Sequence, residues 1–309
     1  MAKYFFKIKE IEDAGDVFKM EVKEDACNGD KENVNNIDYT FDFDESYQQG
    51  LLEVRKKKKE IEERLKAYSF PENVNEVDLS KVMNDWFPVE KWDIFLSHSH
   101  NDDDEKMSIA ISYYLQEKFQ LKCFVDSCTW GYADTLIEKM KKYYIAKEQI
   151  DKGLYNAIVT HVHIMLNSAL MKTMQSATAF LFLQTNNSLE KKHMTADDWT
   201  YSSWIYSELC MSRVMSDILY SHSKASDNKS NILLDSVQLR MGYSDVTTSH
   251  LKNVTLENLQ YAFHPHYQQD GISRNEDCFK LLYDSAKTDE EESICNVGLG
   301  GTLSGRPLF

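Results

Sequence analysis

The stretch Ala177-Thr178-Ala179-Phe180-Leu181-Phe182-Leu183 decides the fold. A short, uninterrupted apolar run of this kind is typical of a strand buried on both faces of a parallel sheet. Two similar runs precede it, at residues 92–97 and 121–126, and helical periodicity separates the three. A further helical segment follows at about residues 202–220. This alternation of strands and helices predicts a parallel sheet with right-handed crossovers.

The predicted strands place their following loops around one cleft. In a parallel α/β sheet, ligands bind beyond the carboxyl ends of the strands, which here are the ends at Leu96, Val125 and Leu183. Residues 231–234 and 261–263 are short apolar segments that we predict as the fourth and fifth strands. The fold class expected from this pattern is α/β, with five parallel strands and flanking helices.

The segments before and after this region differ in character. Short strands are predicted at residues 4–8, 17–22 and 39–43, and a highly charged helix at 45–68, whose lysine run is interpreted as a solvated face. Residues 1–89 are therefore expected to form a small N-terminal α+β appendage. The acidic and then glycine-rich tail, residues 287–309, is expected to be disordered.

The overall charge narrows the classes of function. The chain carries 35 Lys and Arg against 50 Asp and Glu, a net charge of −15. Such a field disfavours general binding to nucleic acid or to an anionic membrane surface. We find no signal peptide, no apolar window near the roughly 18 residues that span a bilayer and no paired C-x-x-C spacing. We therefore expect a cytoplasmic protein.

Four segments resemble those of TIR (Toll/interleukin-1 receptor-like) domains. Residues 93–97, Asp-Ile-Phe-Leu-Ser, resemble the D-x-F-[IL]-S segment that opens the TIR fold. Residues 124–126 with Trp130-Gly131 are similar to the second strand and its loop, and residues 176–188 to the third strand. Residues 204–208, Trp-Ile-Tyr-Ser-Glu, resemble the W-x-x-x-E helix of catalytically active members.

The resemblance implies a flavodoxin-like TIR domain over residues 90–286. It covers residues 90–220 well and 220–285 loosely, and it leaves residues 1–89 outside. Relative to compact TIR domains, residues of about 139–162 look like a helical insertion. The first loop carries His98 and His100 where many relatives have Tyr or Arg, so its contacts are not carried over.

In this family the matching glutamate is catalytic, which assigns Glu208 that role by resemblance. The implied reaction is that of an NAD⁺ glycohydrolase or cyclase, giving nicotinamide and ADP-ribose or a cyclic form. Helical spacing places Trp204 and Glu208 on one face, where the indole is expected to hold nicotinamide. A carboxylate near the ribose would stabilise the oxocarbenium character that develops as the bond breaks. NAD⁺ is then substrate, and no cofactor is expected.

Four further residues are predicted to bind substrate. Ser97 and His98 are candidates for ribose or phosphate contacts, Asp126 for orienting the second loop, and Trp130 for gating the pocket. The alternatives are capping by the serine, solvent exposure of the histidine and packing of the indole on its own domain. Since we find no Cys/His set at metal-site spacing beside His98-Ser99-His100, no metal is expected.

The resemblance also implies roles in defence, immunity or cell-death signalling, including antiviral defence, with self-association through TIR domains. A different class of function stays open, namely a non-catalytic TIR scaffold that acts only by self-association or docking. Trp204 and Glu208 separate the two hypotheses, because a scaffold needs neither.

Overall fold

The computed structural model describes residues 2–8, 41–70, 77–130, 133–146, 152–191, 198–200, 202–220, 243–246, 248–263 and 275–288. In chain order the elements are β1 (Tyr4–Ile8), α1 (Phe43–Ala67), α2 (Leu79–Trp86), β2 (Ile94–Ser97), α3 (Asp102–Phe119), β3 (Cys123–Phe124), α4 (Asp126–Thr129), α5 (Ala133–Ala146), α6 (Lys152–Ser176), β4 (Ala179–Leu183), β5 (Glu190–Lys191), β6 (Asp198–Thr200), α7 (Ser203–Tyr220), β7 (Tyr243–Val246), β8 (Lys252–Val254), α8 (Leu256–Phe263) and α9 (Asn275–Ser285). Five strands form one parallel sheet in the spatial order β3-β2-β4-β1-β8, and β5, β6 and β7 form a small antiparallel sheet. The expected α/β fold with five parallel strands is confirmed.

Strand β4 is the centre of the sheet, as its apolar run predicts. Every one of its side chains is at most 1% exposed, and it pairs with β2 on one side and β1 on the other. Successive side chains point to opposite faces. Phe180 and Phe182 join the apolar cluster beneath α5, α6 and α7, whereas Leu181 and Leu183 join the cluster beneath α3, α8 and α9. The two clusters form the cores on the two sides of the sheet.

Strand β1 is an inner strand of this sheet. It lies between β4 and β8, with Tyr4 opposite Ala179 and Ile8 opposite Leu183. Helix α1, also from the N-terminal segment, packs against α3. The prediction that residues 1–89 form a separate appendage is therefore wrong for β1 and α1. A buried central strand must satisfy its backbone groups on both sides, and β1 provides the partner for one side of β4.

The fourth and fifth positions of the sheet are not occupied by the expected strands. Counted from β2, the sheet runs second, first, third, which is how a flavodoxin-like sheet begins. The fourth position then belongs to β1, and the fifth to β8. The predicted fourth strand at 231–234 lies outside the described residues. The predicted fifth strand at 261–263 is wrong, because these residues end helix α8, whose buried Leu256, Leu259 and Phe263 follow helical spacing.

Helix α1 confirms the predicted charged helix and starts earlier than expected. Its cap is Asp42, whose carboxylate accepts a hydrogen bond from the backbone N–H of Glu45 at 2.9 Å. The strand predicted at 39–43 is therefore wrong where it is described, since the helix begins at Phe43. Gly50 allows the close approach of α3, because a Cβ there would lie 2.9 Å from Cγ2 of Ile109.

The other helical predictions agree with the structure. Helix α7 matches the segment predicted at 202–220, and α9 matches the closing helix predicted at 276–285. Helices α5 and α6 account for the described part of the predicted insertion at about 139–162. Residues 17–22 and 289–309 lie outside the described residues. Among the residues described, no helix has both the length and the apolar composition that crossing a membrane requires.

Candidate active site

Glu208 lies on the inner face of α7, against the carboxyl end of β2. Its side chain is buried, with 3% of the residue exposed, and its Oε2 accepts a hydrogen bond from the hydroxyl of Ser97 at 2.5 Å. Ser97 is the last residue of β2 and is itself 1% exposed. The structure therefore brings together two of the predicted site residues at the edge of the sheet where ligands of α/β proteins bind.

Ser202 caps the N-terminus of α7, the helix that carries Glu208. The backbone N–H of Ile205 donates to that hydroxyl at 3.3 Å, in the manner of a helix cap. Trp204, one turn before Glu208, is half-buried and packs against the apolar cluster beneath α5, α6 and α7. The indole and the carboxyl group thus share the inward side of the helix, as the i, i+4 spacing predicts.

A second carboxylate, Asp126, lies at the neighbouring strand end and begins α4. Its Oδ2 is 2.9 Å from Nε2 of His100, and its Oδ1 accepts a hydrogen bond from the N–H of Ser127 at 2.7 Å. Oδ1 also lies 3.8 Å from Nδ1 of His98. The prediction that Asp126 orients its loop is consistent with these contacts, which join the ends of β2 and β3.

The two carboxyl groups have pKa values displaced in opposite directions. Burial raises the pKa of Glu208 to about 8, and the charge of Asp126 acts in the same direction, while Ser97 and His100 oppose it. Burial would also raise the pKa of Asp126, but the hydrogen bond with His100, the charges of His98 and His100 and the Ser127 N–H together hold it below its ordinary value. Pairs of this kind supply one acid and one base at neutral pH.

The two histidines of the first loop occupy different environments. His98 is 2% exposed, and burial lowers its pKa, against the opposing charge of Asp126. His100 has 45% of its side chain exposed, and the hydrogen bond with Asp126 raises its pKa. The alternative that both histidines are merely solvent-exposed is wrong for His98, because its ring is enclosed beside Ser127.

Trp130 is a core residue. It is 4% exposed, and its ring centroid lies 4.7 Å from that of Phe124 and 5.8 Å from that of Phe87, both in edge-to-face geometry. This packing agrees with the alternative that the indole packs on its own domain, and the predicted gating role of Trp130 stays a prediction. Gly131, the next residue of the predicted loop motif, lies outside the described residues.

The prediction missed a second polar cluster on α7, one turn beyond Glu208. Ser212 is fully buried, and its hydroxyl lies 2.8 Å from Nε2 of His250. The buried ammonium of Lys7 donates to the hydroxyl of Thr248 at 2.9 Å. Burial lowers the pKa of His250 to about 3, and the charges of Arg213 and Lys7 add to this effect. The i, i+4 spacing from Glu208 points to Ser212, but no sequence pattern links it to His250.

Two cavities are found away from Glu208. One, of about 470 Å³, is lined by Tyr68, Phe70, Lys139 and Tyr143 among others, and the second, of about 160 Å³, lies between α1, α3 and the end of β3. Glu208 is almost fully buried in this closed arrangement, so a substrate reaches its carboxyl group only if the surrounding side chains move.

Comparison with known proteins gives no relative of this chain: no family model, no curated protein and no solved structure matches it.

Proposed function

We propose that this protein cleaves the nicotinamide–ribose bond of NAD⁺, with Glu208 as the catalytic carboxylate. The observation that supports this most is the position of Glu208, which faces inward from α7 and meets Ser97 at the carboxyl end of β2. A carboxylate on an exposed helix face would not have this environment. The proposal also rests on the resemblance of residues 93–97 and 204–208 to catalytic TIR domains.

The chemistry requires little more than a well-placed anion. The nicotinamide nitrogen of NAD⁺ carries positive charge, so nicotinamide leaves with the electron pair of the C–N bond. Positive charge then develops on the ribose carbon, and the carboxylate of Glu208 stabilises it. Water attacks this carbon and loses a proton, which gives nicotinamide, ADP-ribose and H⁺. Attack by the adenine of the same molecule instead gives a cyclic product.

Because Glu208 is protonated at neutral pH, the arrangement in which it accepts a hydrogen bond from Ser97 is a resting state. With its pKa near 8, the buried carboxyl group holds its proton at neutral pH. Catalysis needs the ionised form, and a cationic substrate favours it, because an opposite charge nearby lowers a carboxyl pKa. Binding of NAD⁺ would therefore exchange the contact between Ser97 and Glu208 for contacts with the ribose.

The surrounding residues fit distinct positions in this proposal. Trp204 stands one helical turn from Glu208 and would flank the nicotinamide, and Ser97 would contact the ribose. His98 stays a candidate for a phosphate or ribose contact, and Asp126 for orienting the loop after β3. By the same resemblance, we propose self-association through the TIR-like domain, a cytoplasmic location and a role in defence or cell-death signalling.

A non-catalytic TIR scaffold is the second candidate. The observation that favours it is the burial of Glu208, of which 3% is exposed and which lines neither of the two cavities. A protonated carboxyl group that is hydrogen-bonded to Ser97 is also a satisfactory structural element. In that case Glu208 would stabilise the end of β2 and have no role in turnover.

The decisive experiment compares two isosteric variants at high protein concentration. The full chain is incubated with NAD⁺, and free nicotinamide is quantified for the wild type, Glu208→Gln and Glu257→Gln. Glu257 is exposed on α8 and serves as the matched control. We expect the wild type and Glu257→Gln to release nicotinamide and Glu208→Gln to be slower by a factor on the order of 1,000.

The outcomes separate the two candidates. Wild-type turnover in Glu208→Gln removes this residue from the mechanism. A wild-type chain that releases no nicotinamide at any concentration, while forming oligomers, supports the scaffold. Circular dichroism and thermal melting of the variant show whether any loss of activity reflects loss of fold.

A further inference from the structure

Three potential metal ligands from two loops converge beside the candidate site. His98 and His100 follow β2, and Asp126 follows β3. One donor atom from each of the three lies within 4.8 Å of the other two. They meet because adjacent parallel strands end at the same edge of the sheet, which brings residues 26 positions apart together. The expectation of no metal rests on residues close together in sequence, and Asp126 is not among them.

The distances are close to those of a metal centre. Nε2 of His100 lies 2.9 Å from Oδ2 of Asp126, and Nδ1 of His98 lies 3.8 Å from Oδ1. Ligand atoms of a tetrahedral zinc ion, with bonds of about 2.0–2.2 Å, are roughly 3.3 Å apart. The two separations lie on either side of this value but involve different oxygens of Asp126, so one oxygen approaches both nitrogens only after side-chain rotation.

A second observation points to a ligand, namely the unpartnered nitrogen of His98. Among the described residues, Nδ1 of His98 has no hydrogen-bond partner although the residue is 2% exposed. The other nitrogen, Nε2, lies 3.3 Å from the hydroxyl of Ser127. In the tautomer that carries its proton on Nε2, this nitrogen donates to Ser127, and Nδ1 keeps a lone pair 3.8 Å from Oδ1 of Asp126. Metal-binding histidines are held in this way, by a hydrogen bond through the nitrogen that does not bind the ion.

The charges around these residues favour a cation. Glu105 and Asp126 both act electrostatically on His98 and on His100, and Glu208 acts on His100.

We propose that His98, His100 and Asp126 bind one divalent transition-metal ion, for which zinc fits the two nitrogens and one oxygen. Three protein ligands leave a fourth position open to water or to another ligand, as in catalytic rather than structural zinc sites. The ion would lie beside Glu208, where its charge favours the ionised carboxylate. The inference does not depend on NAD⁺ cleavage, because binding of the ion is measured without substrate.

The experiment measures metal binding to the full chain after removal of metals with a chelator. Zn²⁺ is titrated by calorimetry, and X-ray absorption of the loaded protein identifies the ligand atoms. We expect one ion per chain and a shell of nitrogen and oxygen at about 2.0–2.1 Å, without sulfur at about 2.3 Å. His100→Ala and Asp126→Asn should each weaken binding at least about tenfold.

His161→Ala is the matched control, since His161 is an exposed histidine of α6 and should leave binding unchanged. His100 is half-exposed and Asp126→Asn is isosteric, so at least one variant is expected to keep its fold, which circular dichroism checks. No binding by the wild type, a zinc–sulfur distance, or unchanged affinity in either folded variant would overturn the proposal.

Discussion

Helix α7 covers two polar clusters of opposite electrostatic character. At Glu208 a buried carboxyl group lies near Asp126, and its pKa is raised so that it keeps its proton. One turn later, at Ser212, the partly buried imidazole of His250 lies near Arg213 and Lys7, and its pKa is lowered so that it stays neutral. Burial disfavours the charged form of both side chains. A neighbouring charge of the sign that each would carry adds to this effect, from Asp126 at Glu208 and from Arg213 and Lys7 at His250. Burial and like charge therefore act together at both sites.

The largest expected effect concerns stability at alkaline pH. A folded-state pKa of about 8 lies above the ordinary 4.5, so Glu208 contributes stability below pH 4.5 that is lost as the pH rises towards 8. Glu208→Gln removes this dependence. At pH 8 the variant should be more stable than the wild type by up to a few kcal/mol, since each pKa unit corresponds to about 1.4 kcal/mol.

Urea denaturation at pH 4.5, 6 and 8 measures this difference, with Glu257→Gln as the control. The advantage of Glu208→Gln should grow with pH and be smallest at pH 4.5. An advantage that does not change with pH would mean that Glu208 is already ionised in the folded protein. In that case only the cluster around His250 would hold a buried group in its uncharged form.

The second prediction is the mirror image, at acid pH. The pKa of His250, about 3, lies below its ordinary 6.5, so the neutral imidazole contributes stability above pH 6.5 that is lost as the pH falls towards 3. In His250→Gln the free energy of unfolding should fall less steeply between pH 6.5 and pH 4, with a difference of up to a few kcal/mol at pH 4. Denaturation curves between pH 4 and 7 check it against the exposed His163→Gln. If His250→Gln loses stability at acid pH as steeply as the wild type does, other groups determine that loss.

The sequence predicts the helix that carries Glu208 better than the sheet beneath it. The apolar runs ending at Ser97 and Leu183 and the periodicity of α7 are local signals, and local signals predict single elements. The place of β1 depends on which strand completes the hydrogen bonding of β4, and no local pattern of Tyr4–Ile8 specifies that partner. The segment 261–263 was misassigned because a three-residue apolar run does not distinguish a strand from the end of a helix.

The residues of the candidate site also divide into those that sequence motifs predict and those that only tertiary packing brings together. Ser97, Trp204 and Glu208 belong to sequence motifs, so their approach could be expected. The pairing of His100 with Asp126 and of Ser212 with His250 arises from tertiary packing over long separations. For Trp130 the sequence leaves a gating role and core packing open, and the burial of the indole against Phe124 depends on tertiary contacts.

The third prediction is a smaller shift within the acidic cluster. The hydroxyl of Ser97 donates to Glu208 and lowers its pKa, so Ser97→Ala should raise that pKa further. A lost hydrogen bond to a buried group is worth about 1 kcal/mol, which corresponds to less than one pKa unit. The pH dependence of stability should shift to higher pH in Ser97→Ala. In a Glu208→Gln background the same change should produce no such shift, and a shift that persists there would assign the effect to another group.

The smallest effect on activity is expected from the second cluster. Ser212→Ala removes the partner of Nε2 of His250 and should lower stability by about 1 kcal/mol. Since Ser212 lies one helical turn from Glu208 and bonds to a different set of residues, nicotinamide release should stay within about twofold of the wild type. Both quantities are measured on the same preparation, nicotinamide release by chromatography and stability by urea denaturation. A loss of activity as large as that of Glu208→Gln, in a folded variant, would show that the two clusters act as one site, and that the neutral imidazole takes part in the reaction.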